Sequence, residues 1–77
     1  MSGFIQEALH APPRIVLTGR DELLVENSAG ICELGESSVT LRTSEGALVI
    51  TGEKLTILRA ERDSVALSGK ISSVSYV

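Results

Sequence analysis

Four glycines divide this chain into nearly equal lengths. Gly19, Gly35, Gly52 and Gly69 follow one another at intervals of 16, 17 and 17. Apolar residues at alternate positions lead up to each: Ile15 and Leu17, Cys32 and Leu34, Leu48 and Ile50, Val65 and Leu67. Similar residues follow each: Leu23 and Val25, Val39 and Leu41, Leu55 and Ile57, Ile71 and Val74. A period of two places successive side chains on opposite faces of a strand. A longer period of 16 to 17 residues says that one structural unit recurs. The repeat constrains architecture strongly and says nothing about chemistry.

From Arg14 onward Val, Ile, Leu and Thr dominate, and Gly, Ser, Asn and Asp punctuate them, as in strands and turns. Eight strands are expected, near residues 14–18, 22–26, 31–34, 38–43, 47–51, 54–59, 64–68 and 70–76. Register can be tested on paper. A turn at Ser44-Glu45 pairs Leu41 with Leu48 and Val39 with Ile50. A turn at Glu36-Ser37 pairs Leu34 with Val39 and Cys32 with Leu41. A type II′ turn at Gly52-Glu53 pairs Ile50 with Leu55. A loop at 60–62 pairs Ile57 with Val65 and Leu55 with Leu67. Apolar residues meet at every step, and a slip of one residue would undo this. The fold class expected is therefore all-β: an antiparallel meander of about eight short strands, barrel-like or two-layered. The alternative is a β-solenoid of four repeats of 16–17 residues. The meander is preferred because turn residues sit where hairpins need them. The opposite face carries Val16, Leu24, Thr40, Val49, Leu58 and Ala66, a mixed set.

Residues 1–12 differ. Phe4, Ile5, Ala8 and Leu9 fall at helical spacing, and Pro12 and Pro13 end that pattern. A short N-terminal helix is expected there, ahead of a single repeat-built β domain over 13–77. Only Phe4 and Tyr76 are aromatic, so the core must be aliphatic. One cysteine excludes an internal disulfide, and Cys32 with His10 is too few for a typical zinc site. A domain this small is marginal alone. Self-association is the remaining source of stability, and a homo-oligomer is expected. Its contact is expected at Phe4, Ile5, Ile71, Val74 and Tyr76, from the N-terminal segment and from the first and last strands as poorly guarded sheet edges. The net charge of −3 disfavours nucleic acid, and no apolar run is long enough to span a bilayer. A cytoplasmic setting follows as the default.

Candidate chemistry is thin. Cys32, beside Leu34 on the apolar face, reads as a small core hydrophobe. Glu36, Glu45, Glu53, Glu61 and Asp63 fall at expected turns and read as solvated. No nucleophile elbow or phosphate loop is present. Asn27 ends a strand and suits a left-handed backbone. No catalytic residue, metal or cofactor is expected.

Read whole, the chain resembles the YabP/YqfC family of sporulation proteins from endospore-forming bacteria, and its YqfC-like branch in particular. The likeness covers about residues 13–77. Pro13-Arg14-Ile15, the phrase Val25-Glu26-Asn27 leading to Gly30-Ile31, and the ending Gly69-Lys70-Ile71, Val74, Tyr76 carry it. Ser28 stands where the family pattern has histidine. The resemblance implies a non-enzymatic assembly or adaptor module in the mother cell, peripheral at the forespore outer membrane, cortex or coat, with a sporulation membrane protein as a partner. The competing class is a small ligand-binding β-barrel, which would need polar groups converging on a lined cavity.

Overall fold

The structure is a computed structural model, and it describes residues 11–77. The expected N-terminal helix lies outside the described residues. Six strands form one sheet: β1 (Arg14–Thr18), β2 (Glu22–Glu26), β3 (Ser28–Leu34), β4 (Ser38–Thr43), β5 (Gly46–Ala60) and β6 (Ser64–Tyr76). Their spatial order is β1-β2-β6-β5-β4-β3. Every pairing is antiparallel. The all-β antiparallel expectation holds, and stacked solenoid coils are excluded. The sheet is open, with β1 and β3 at its edges, so it is not a closed barrel either.

Six strands stand where eight were expected, because Gly52 and Gly69 bend the chain without reversing it. β5 runs unbroken through Gly52-Glu53, so no hairpin pairs Ile50 with Leu55 there. Ile50 instead faces Val39 on one side and Val74 on the other. At both glycines the backbones of β5 and β6 crowd together. A Cβ on Gly52 would lie 2.1 Å from the Lys70 carbonyl oxygen, and one on Gly69 would lie 2.8 Å from that of Lys54. Gly69 also has φ of 138°, which an L side chain rarely tolerates. Register shifts accompany the bend, between Thr51 and Gly52 and between Glu53 and Thr56. A further shift between Ile57 and Arg59 pairs Leu67 with Ile57 and Val65 with Ala60, in place of the expected Leu55 and Ile57.

The bend divides the sheet into two four-stranded halves. One comprises β1, β2, the start of β6 and the end of β5. The other comprises β3, β4, the start of β5 and the end of β6. Among the described residues, Val25, Val39, Leu41, Ile50 and Leu67 are 0% exposed, and Leu23, Leu48, Leu55, Val65 and Ile71 are buried with them in one cluster. A single flat layer cannot hide one face so completely. The halves therefore face each other, and each covers the other's aliphatic side.

The halves are related by a pseudo-two-fold that follows the repeat. Gly52 N–H donates to Ser37 O (3.0 Å) and Leu55 N–H to Glu36 O (2.8 Å). Sixteen or seventeen residues away, Gly69 N–H donates to Asp21 O (3.0 Å) and Ile71 N–H to Arg20 O (2.9 Å). In two repeats the glycine marks a hairpin, and in two it marks a bend. One residue, Asn27, carries the chain from β2 to β3. It holds φ of 65°; its N–H donates to Asp63 O (2.7 Å) and its Nδ2 to Pro12 O (3.0 Å). Ser28 beside it is buried, and its N–H donates to the same Asp63 oxygen at 3.1 Å.

Candidate interaction surface

Each half of the sheet ends in strands bonded on one side only. β1 pairs with β2 alone and β3 with β4 alone; residues 72–76 of β6 pair with β5 alone. The inner faces of these margins are apolar and uncovered. Leu17 is 48% exposed and Leu34 64% exposed, and the two are equivalent under the repeat. Ile15 and Ile31 form a second equivalent pair, also exposed.

Two matching grooves run along these margins. One, of about 490 Å³, lies between Leu34, Gly35 and Glu36 and the stretch Lys54 to Ile57 of β5. The other, of about 460 Å³, lies between Leu17 and Arg20 and the stretch Lys70 to Val74 of β6. Each is lined by aliphatic residues and by two charged ones, Glu36 and Lys54 in the first and Arg20 and Lys70 in the second. Such a groove can take apolar side chains from an added strand, while the unpaired backbone beside it supplies hydrogen bonds.

Of the residues singled out from sequence, Phe4 and Ile5 lie outside the described residues, as does His10. Ile71 is buried at the bend of β6, Val74 is half-buried against the core, and Tyr76 is 45% exposed at the sheet margin. Val74 and Ile71 line the second groove. The acidic turn residues Glu36, Glu45, Glu61 and Asp63 are exposed as expected; Glu53 is exposed too, but within β5. Asn27 has the left-handed backbone its residue type suits.

Cys32 requires a correction. It is exposed, not buried. A bulge between Ile31 and Glu33 pairs Ile31 with Leu41 and turns the thiol outward. Regular alternation between Cys32 and Leu34 concealed that extra residue. The exposed row on β1 was equally hidden, because Ile15 and Leu17 alternate like core residues. What exposes them is their place at the sheet margin, which local pattern does not encode.

The fold and its surface thus define a small, internally two-fold, all-β protein with unsatisfied apolar margins. The model of the YabP family matches residues 10–77. A Bacillus subtilis (strain 168) protein called "Uncharacterized protein YqfC" is 30% identical over 84 residues, an alignment spanning all of this chain and 90% of that relative. The chain belongs to the YabP family. The described residues include no helix long and apolar enough to cross a membrane.

Proposed function

We propose that this chain is a non-catalytic assembly module of sporulation, working in the mother cell near the forespore outer membrane, cortex or coat. Family membership supports the sporulation setting. The observation that carries the assembly role is the open sheet, whose margins pair on one side only and leave Leu17, Leu34, Ile15 and Ile31 exposed along two grooves. A core of aliphatic residues fills the interior, so binding falls to the margins and outer faces. Self-association covers these apolar residues and adds stability that a chain of 77 residues gains from neither disulfide nor aromatic packing. A sporulation membrane protein is the further partner proposed.

Two measurements test the reading. Deleting the gene in an endospore-former should lower the yield of heat-resistant spores; unchanged spore counts and coat morphology would remove the sporulation role. Light scattering on the purified chain should show mass rising with concentration. A monomer at every concentration, with a constant melting temperature, would remove the self-assembly part.

A further inference from the structure

The two halves of the sheet are alike inside and unlike outside. Core positions match across the repeat: Leu23 with Val39, Val25 with Leu41, Leu48 with Val65, Ile50 with Leu67. On the outer face the match fails. In the β1–β2 half, Val16, Leu24 and Ala66 stand in register across three strands, and on β5 the bulge residues Leu58 and Arg59 lie opposite Ala66, with Leu58 lining the same shallow cavity. The equivalent row of the other half is Glu33, Thr40, Val49 and Ser75. Val16 and Leu24 are apolar where Glu33 and Thr40 are polar, and the bulge adds exposed Leu58 beside them. Fold stability asks the same of both rows, because neither faces the core. The difference belongs to the surface.

The apolar row has the anatomy of a contact. Val16 is 37% and Leu58 57% exposed, while Leu24 and Ala66 between them are half-buried. Ala66 makes a dip, and the shallow cavity over this row has a volume of about 220 Å³. Polar rows flank it. Thr18, Glu22 and Ser68 stand in register on one side, and Arg14, Glu26 and Ser64 on the other. An apolar centre with a polar rim is how protein contacts are built.

We infer that this face is the contact between two copies of the chain, packed about a two-fold axis that runs parallel to the strands between β2 and β6. The inference rests on the self-association proposed above but places the contact between copies on this outer face rather than on the sheet margins. Under that operation Leu24 of one copy sits in the dip over Ala66 of the other, and Val16 meets the Leu58–Arg59 bulge. The rims agree as well: Glu22 falls opposite Ser68, and Glu26 opposite Ser64. No two acidic side chains are brought together, although each copy carries a charge of −3. A row with one dip beside one ridge, both near its centre, is self-complementary as an isologous interface demands. Four strands about 4.8 Å apart and five residues of about 3.3 Å give a face of roughly 320 Å² per copy. That lies below the standard interface size, so the pair is expected to dissociate on dilution.

Sedimentation equilibrium from about 1 μM to about 1 mM tests this, with circular dichroism confirming that each variant is folded. The wild-type chain should associate reversibly. Leu58→Lys should raise the dissociation constant at least about 10-fold, since it sets a charge against the apolar Val16 of the other copy. Ser75→Lys, at the equivalent place on the other half, should leave it within about 2-fold. Lysine reduces the net negative charge in both variants, so repulsion between copies cannot account for a difference between them. Leu24→Ala and Ala66→Leu should each weaken the pair, and the double variant, which exchanges knob and hole, should restore it. If Leu58→Lys and Ser75→Lys behave alike in a chain that still associates, the face is wrong and assembly through the sheet margins stands. If the singles weaken the pair and the double does not rescue it, the proposed seating of Leu24 over Ala66 is wrong. A chain that never associates overturns both the face and the self-association on which it rests.

Discussion

Replacing the repeat glycines one at a time with alanine separates their two roles, and Gly52→Ala is the most severe case. A Cβ there would lie 2.1 Å from the Lys70 oxygen, 3.0 Å from its carbonyl carbon and 3.1 Å from the Ile71 Cα. The first of these is more than 1 Å inside ordinary contact. All three atoms are backbone, so no side chain can swing away. Relief requires β5 and β6 to part where they cross. Overpacking of this kind costs about 1–3 kcal/mol. Parting the strands also endangers the Gly52–Ser37 bond and its neighbours, each worth about 1 kcal/mol. The expected loss is about 3–5 kcal/mol. At about 0.05–0.15 kcal/mol per residue the whole domain holds only roughly 4–12 kcal/mol. Gly69→Ala combines the φ of 138° with a clash and should be comparably damaging. Gly19 has φ of 60° with nothing within 4 Å of its would-be Cβ, so only backbone strain of about 1 kcal/mol applies. Gly35→Ala meets only Ser38 O at 3.4 Å and should cost below about 0.5 kcal/mol. Thermal unfolding followed by circular dichroism reads all four, each kcal/mol shifting the melting point by about 4–8 °C. Equal losses at Gly35 and Gly52 would refute the distinction between hairpin and bend.

Two further substitutions probe single residues. Cys32→Ser should change stability by less than about 0.5 kcal/mol, and the native thiol should react with a disulfide reagent at the rate of a free one; a protected thiol would mean the β3 bulge is misplaced. Asn27→Ala should cost about 1.5–2 kcal/mol, from left-handed strain plus the lost bond to Pro12 O, whereas Asn27→Gly should recover the backbone share; identical melting curves for the two would count against the strained corner.

Much of the fold was legible because alternation is local. The pairing of Val39 with Ile50 and of Leu41 with Leu48 follows from a turn at Ser44-Glu45 and can be drawn on paper. Leu34 against Val39 follows in the same way. What failed was the reading of glycine. Gly-Glu at 52–53 has the composition of a type II′ turn, and nothing nearby distinguishes reversal from a bend. That choice is made by Lys70 and Ile71, almost twenty residues away, which pack against Gly52 and leave room for no side chain. The exposure of Cys32 failed for a related reason. One added residue between Ile31 and Glu33 leaves Leu34 opposite Val39 as expected but puts Ile31 in the place of Cys32 opposite Leu41.

The repeat and its breaches carry different information. Positions that keep their character across 16 or 17 residues, such as Val25 with Leu41, are held by a core that both halves share. Fold stability alone would let the outer rows drift independently, with no preference for apolar residues on one half. Instead Val16 and Leu24 are apolar where Glu33 and Thr40 are polar, and Leu58 lies beside them over the same shallow cavity. Exposed leucine in water is unfavourable for solubility and brings the monomer no packing in return. A single exposed leucine needs no explanation, but an aligned row does. In a protein whose halves are otherwise two-fold related, loss of that symmetry on one face gives the surface a direction. Such a unit can use one face for its own copy and keep both grooves for other chains. That division suits an assembly module better than a symmetric particle, which would offer identical contacts on both sides and polymerise without limit.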